Sequence, residues 1–103
     1  MEFIYLENCT GFDWDKGNSL KSLEKYNVTL LESEEIFFNK PLLLENDTQH
    51  STTKEKRYFA LGITNKGRKL FCAFIIRKQK IRVISCRDMH KKERGFYEKD
   101  SKI

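Results

Sequence analysis

The stretch Ile81-Arg82-Val83-Ile84-Ser85-Cys86-Arg87-Asp88-Met89-His90-Lys91-Lys92-Glu93-Arg94 gathers side chains suited to holding a polyanion. Arg82 and Arg87 flank Ser85 on a segment that alternates apolar and polar residues, the pattern of a half-buried strand showing cations to solvent. With Arg57, at the head of another alternating segment, they are the first candidates for phosphate contact, because a guanidinium offers a fixed fork to two oxygens. Lys91 and Arg94 follow on a basic helical segment, and Arg77 stands in the turn before it. Lys21 and Lys25 are four apart on a predicted helix and share a face, which brings two ammonium groups together. His50 lies in a polar loop, and imidazole is the side chain that trades protons near neutrality. Each residue has a plainer alternative. The stretch also suits a strand packed on a solvated helix, Arg77 a solvated turn, Glu93 and Arg94 a helix surface pair, and His50 a free surface histidine.

Several elements must position these groups. Phe3 to Leu6 reads as a short extended segment, and Phe12 and Trp14 share one side of a brief strand. Asp15 offers an N-cap to a helix from about Lys16 to Tyr26, kept on the surface by its few apolar positions, Leu20 and Leu23. Thr29 and Glu32 form a capping box for a second, acidic helix, which Asn39-Lys40-Pro41 stops. Leu42 to Leu44 starts a strand, followed by a polar loop over Glu45 to Thr53. Arg57 to Ile63 and Arg68 to Ile76 are the next strands, joined by a hairpin turn at Thr64-Asn65-Lys66-Gly67. A turn over Arg77 to Lys80 leads into the Ile81 strand, and Asp88 is the expected cap of the last helix. The expectation is an α+β fold in the order β-α-α-β-β-β-β-α. Short connections predict an antiparallel meander of four to five strands, with two helices before it and one after.

The totals bound the rest. At 103 residues the chain suits one domain with a single core, residues 1–103. Residues 1–50 carry four Lys/Arg against ten Asp/Glu, and residues 51–103 carry sixteen against five, a swing from −6 to +11. Such asymmetry points to a polyanionic partner for the second half. The most apolar run, Leu70 to Ile76, is too short to cross a bilayer, and nothing at the N-terminus reads as a signal peptide. Cys9, Cys72 and Cys86 are odd in number and widely spaced, which suits reduced thiols in a cytoplasmic protein better than a disulfide frame or a zinc site. No dense Asp/Glu/His cluster suggests a metal, and no cofactor motif is present.

One resemblance runs through these pieces. Phe12-Asp13-Trp14-Asp15, Lys25 through Val28, Glu34-Glu35-Ile36-Phe37 and His50-Ser51 come first. Glu55, Arg57-Tyr58, Gly62, Gly67-Arg68, Leu70-Phe71 and Arg77 follow. The last pieces are Ile81 through Ser85, Arg87-Asp88-Met89, Glu93-Arg94 and Tyr97-Glu98. Over about residues 11–98 the chain resembles, in order and spacing, the BrnT toxins, a family with a RelE-like ribonuclease fold. It departs where the family commonly has Lys-His-Gly-Val and this chain has Lys25-Tyr26-Asn27-Val28, and where Ser-Ala-Arg becomes Ser85-Cys86-Arg87.

The resemblance implies a bacterial type II toxin that cleaves RNA and is neutralised by a ribbon-helix-helix, BrnA-like DNA-binding antitoxin, two toxins on an antitoxin dimer. Metal-free RNA cleavage needs a base for the 2′-hydroxyl, cations for the phosphorane charge and an acid for the leaving oxygen. On that reading Arg57, Arg82, Arg87, Tyr97 and Glu93 are the catalytic candidates, with Tyr97 as acid or stacking platform and Glu93 positioning an arginine. Lys21, Lys25, His50, Arg77, Lys91 and Arg94 are the RNA-binding candidates. The alternative is a catalytically degenerate module that holds antitoxin or RNA without cutting, a reading that rests on Tyr26 at the family's histidine position.

Overall fold

The strand order β1-β5-β4-β3-β2 defines the architecture, seen in a computed structural model that describes residues 6–100. Strands β2 (Leu43–Asp47), β3 (Arg57–Ile63), β4 (Lys69–Arg77) and β5 (Lys80–Asp88) pair antiparallel in sequence order. The two-residue strand β1 (Gly11–Phe12) adds to β5 in parallel, so the sheet is mixed and not the purely antiparallel meander expected. The reason is the long return through α1 (Lys21–Tyr26) and α2 (Leu30–Glu35), which lets the first segment reach the far edge in the same direction as β5. Helix α3 (Lys91–Asp100) closes the chain, giving an α+β molecule with five strands and three helices.

Alternation divides the sheet into two faces. The inner face carries Ala60, Leu70, Cys72, Phe74, Ile81, Val83 and Cys86, packed with Val28 and Ile36 from the helical segment. Phe74 is fully buried, with Phe37 edge-on at 5.2 Å and Tyr58 at 5.5 Å. A register shift between Ala73 and Phe74 accommodates one extra residue in β5. That bulge explains why the Ile81 strand changes phase: Val83 and Cys86, not Val83 and Ser85, point inward.

Local chemistry sets the boundaries, and several differ from expectation. The first helix is six residues, not eleven, because Asp15 caps a turn instead. Its carboxylate accepts from the Gly17 N–H at 2.7 Å, while the Asn18 amide donates to the carbonyls of Asp13 and Val83. Thr29 and Glu32 do form the capping box of α2. Strand β2 runs on to Asp47, into the predicted polar loop, because Glu45, Asn46 and Asp47 pair with Phe59, Tyr58 and Arg57. Asp88 ends β5 and caps nothing, since Arg68 takes its carboxylate at 2.7 and 3.0 Å. Glu93 serves α3, its carboxylate accepting from the His90 N–H at 2.8 Å. Lys78 and Gln79 both sit at positive φ, as a tight two-residue hairpin between β4 and β5 requires.

The Phe3–Leu6 strand lies outside the described residues except for Leu6, which opens a 3-10 turn, Leu6–Asn8. Cys72 and Cys86, expected as separate small core residues, face each other directly across β4 and β5, Cα to Cα 4.2 Å, while Cys9 is partly buried and apart from them. Fourteen residues separate them in sequence, and only strand register shows that they are opposite. No helix among the described residues is long and apolar enough to cross a membrane.

Candidate nucleic-acid interface

The outer face of the sheet carries the candidate residues in cross-strand rows. Asp47, Arg57, Ile75 and Arg82 form one row, Glu45, Phe59, Ala73 and Ser85 the next, and Leu43, Leu61, Phe71 and Arg87 the third. Alternation along each strand, with the β5 bulge absorbing the odd spacing of Arg82 and Arg87, therefore brings Arg57, Arg82 and Arg87 to a single side. Arg57 and Arg82 are two strands apart, roughly 10 Å between backbones, with Ile75 between them. Helix α3 lies at the third-row end of this face, where Lys92, Glu93 and Phe96 meet Phe59, Leu61 and Phe71 around one groove.

The three guanidinium groups differ in what they hold. Arg82 donates to Asp15 at 3.0 Å through each of two nitrogens and lies 3.5 Å from Asp13. Those hydrogen bonds hold the Asp15 carboxyl below the usual range, helped by the Gly17 N–H. Arg87 donates to both oxygens of Glu93 at 2.8 and 3.0 Å and stacks over the Phe71 ring at 4.2 Å. Burial pushes the Glu93 carboxyl up, but the hydrogen bonds from Arg87 and the His90 N–H outweigh it and lower the pKa. Glu93 is thus paired with Arg87 of β5 and not with Lys92 or Arg94 on its own helix. Arg57 alone makes no ion pair among the described residues.

Beside Arg57 stands a pair that sequence reasoning half missed. Asp47, 3% exposed, takes the Nδ1 side of the His50 ring at 2.8 Å and accepts from the His50 N–H at 3.2 Å. The His50 side chain is 58% exposed, so the carboxylate fixes one nitrogen of a ring that is otherwise largely open to solvent. Ser51 locks the loop to the strand: its hydroxyl donates to the Asp47 carbonyl at 2.6 Å and accepts from the Arg57 N–H at 2.9 Å. From the sequence His50 is an RNA-binding candidate in a polar loop. Asp47 is not, because it falls in what reads as an open loop and its pairing opposite Arg57 is visible only in register.

The remaining candidates separate from this cluster. Tyr97 is 3% exposed, and its hydroxyl donates to the Pro41 carbonyl at 2.6 Å, tying α3 to the start of β2. Burial raises its pKa, and the contact is a packing contact. Lys21 and Lys25 line a separate surface groove on α1 with Lys16, Leu20 and Glu24. Lys25 rests over the Tyr26 ring at 5.3 Å. Arg77 pairs with Glu55 at 2.8 Å, Arg94 donates to the Met89 carbonyl at 2.8 Å, and Lys91 is exposed on α3.

Phe59 and Phe71 were also missed as surface features. Their rings lie 4.9 Å apart on the outer face, while both residues sit in apolar runs that read equally well as core. Among the described residues no three His, Cys, Asp or Glu side chains converge as metal ligands.

No curated protein matches the chain. A family model described as ribonuclease toxin, BrnT, of type II toxin–antitoxin system matches residues 14–93, which span both the Asp47–His50 pair and the three arginines.

Proposed function

Since the chain belongs to the BrnT family of ribonuclease toxins of type II toxin–antitoxin systems, we propose that it cleaves RNA without a metal ion, using the Asp47–His50 pair and Arg57 on the outer face of a RelE-like sheet. Family membership carries with it an RNA target and an antitoxin partner. The observation that supports the mechanism is the Asp47 carboxylate, which holds the exposed His50 ring at 2.8 Å and belongs to the residue paired with Arg57 across β2 and β3.

In this reading His50 Nε2 takes the proton of a 2′-hydroxyl as its oxygen attacks the adjacent phosphorus. Asp47 holds the ring and stabilises the imidazolium formed, and Arg57 forks onto two phosphorane oxygens. The bond from phosphorus to the 5′-oxygen breaks, and that oxygen leaves with a proton from water on the open face. The products are a 2′,3′-cyclic phosphate and a 5′-hydroxyl. Arg82 and Arg87, steered by Asp15 and Glu93, flank the site as further phosphate contacts. Lys91, Arg77 and Arg94 extend the cationic field. Tyr97 serves in packing α3. Purified protein incubated with labelled RNA in EDTA tests this directly: fragments ending in a cyclic phosphate are expected, and intact RNA at high protein concentration would rule the mechanism out.

The partner is proposed to be a ribbon-helix-helix, BrnA-like antitoxin, two of each chain in the complex, acting in the cytoplasm. An acidic antitoxin segment laid on the cationic outer face would both bind and block. An antitoxin footprint confined to α1 and α2 would contradict that placement.

A second reading has its own support. Arg82 and Arg87 are already engaged by carboxylates, and Tyr26 occupies the position where the family commonly carries histidine. A module that holds RNA or antitoxin without cutting would show the same surface. Retention of RNA in EDTA without fragments would favour it.

A further inference from the structure

The outer face carries something the cleavage chemistry does not use. Phe59, Phe71 and Phe96 surround a groove of about 360 Å³ between the sheet and α3, with Glu45, Leu61, Lys92 and Glu93 completing its walls. Phe96 is 56% exposed, a large apolar ring left in water on a helix that buries Tyr97 beside it. Phe59 and Phe71 present tilted rings 4.9 Å apart, and the Arg87 guanidinium covers Phe71. Phe59 follows Arg57 by two residues on the same face of β3, roughly 7 Å along the strand.

We infer that this groove is a nucleobase subsite, taking one unpaired base of single-stranded RNA whose neighbouring phosphate lies on Arg57. The inference rests on the reading above that RNA lies across this face. Aromatic rings favour bases of any identity because every base has a π-face, and a ring pair beside a guanidinium is how single strands are held without sequence readout. The charges permit it: Arg87, stacked over Phe71, neutralises Glu93, which leaves Lys92 against Glu45 on the groove wall, with Arg57 two residues from Phe59 along β3. An apolar protein segment would fill the groove as well, but it would leave Arg57 facing no anion.

The test uses the full chain carrying His50→Ala, to prevent cleavage, and single-stranded RNA decamers with 2-aminopurine at successive positions. Stacking quenches that base, so quenching is expected at one or two adjacent positions only. Phe96→Leu and Phe59→Leu, each added separately, keep apolar volume and remove the π-face. They are expected to abolish the position-specific quenching and weaken binding roughly five- to 150-fold. Phe96 is exposed enough for its variant to fold, and unchanged thermal melting verifies this. Uniform quenching along the RNA, or unaltered affinity in both folded variants, would overturn the subsite. So would loss of antitoxin binding in the variants with RNA binding intact, which would assign the groove to a protein. Failure of the unmutated chain to cut RNA, with specific quenching retained, would sink the cleavage mechanism and leave the subsite standing.

Discussion

In the proposed mechanism His50 and Arg57 make different contributions, and single substitutions separate them. On that proposal His50→Ala removes the base and is expected to lower the cleavage rate about 10²- to 10⁴-fold with binding little changed. Asp47→Asn keeps the ring near its place but loses the charge that stabilises the imidazolium, so a smaller loss is expected. Arg57→Ala removes a donor to the developing charge, and a drop of about 10²–10³ in single-turnover rate is expected. If Arg57→Ala and Arg82→Ala proved equally damaging, the distinction between a free and a carboxylate-held guanidinium would fail. At this scale the sequence displayed residue types well. Guanidinium groups on alternating segments and a lone imidazole in a polar loop announce what they can do. It could not show commitments: that Arg82 is held by Asp15, sixty-seven residues away, and Arg87 by Glu93. Those pairings depend on which loop folds against which strand.

Elements were legible where one local rule governed them. Strand β3 occupies Arg57–Ile63, as its alternation predicted, and the Thr29–Glu32 box starts α2. They were misread where a distant partner overrode local preference. Asp15 and Asp88 have the chemistry of helix caps, but Arg82 and Arg68 claim them. Arg68 shows what such a claim accomplishes. It donates to Asp88, to Glu32 and to the carbonyls of Tyr26 and Asn27, fastening the α1–α2 junction to the end of the sheet. The Asp88, Glu32, Asp15 and Glu93 carboxyls all sit below their ordinary range; burial raises Glu32 and Glu93, but their hydrogen bonds prevail.

Groups with depressed folded pKa values bind fewer protons folded than unfolded. Their stabilisation is therefore present above about pH 4 and is lost as pH falls through the lowered values. The melting temperature is expected to hold between pH 7 and 5 and fall below 4. Arg68→Met should flatten that fall, because Asp88 and Glu32 lose their cation; an unchanged acid limb would contradict this. Packing gives a second check at the same scale. A Cβ on Gly62 would lie 2.8 Å from the Ile36 Cβ and 3.2 Å from the Ile36 carbonyl oxygen. Gly62→Ala is expected to cost about 1–3 kcal/mol by denaturant unfolding, and Phe74→Ala, at the fully buried centre, about 3–5 kcal/mol.

For the whole molecule, the charge asymmetry between halves becomes a division of elements. Residues 51–103, at +11, supply β3, β4, β5 and α3, whereas residues 1–50, at −6, supply β1, α1, α2 and β2, whose Glu45 and Asp47 join the outer face. RNA affinity should fall with salt at a log–log slope of about −0.7 for each phosphate neutralised, hence near −2 for contacts at Arg57, Arg82 and Arg87. Fluorescence anisotropy across a salt series reads the slope. A value near zero would mean that the outer face does not meet a phosphate backbone. By itself the sequence determined the residue chemistry, the order of helices and strands, the basic second half and the family, because propensity, alternation, net charge and motif spacing are local or additive properties. Only the tertiary structure decided that β1 runs parallel to β5, that Cys72 meets Cys86, that Asp47 orients His50 beside Arg57, and that three phenylalanines stand on the outer face. Each of these depends on strand register and on which segments lie side by side, and a shift of one residue would have turned every such side chain to the opposite face.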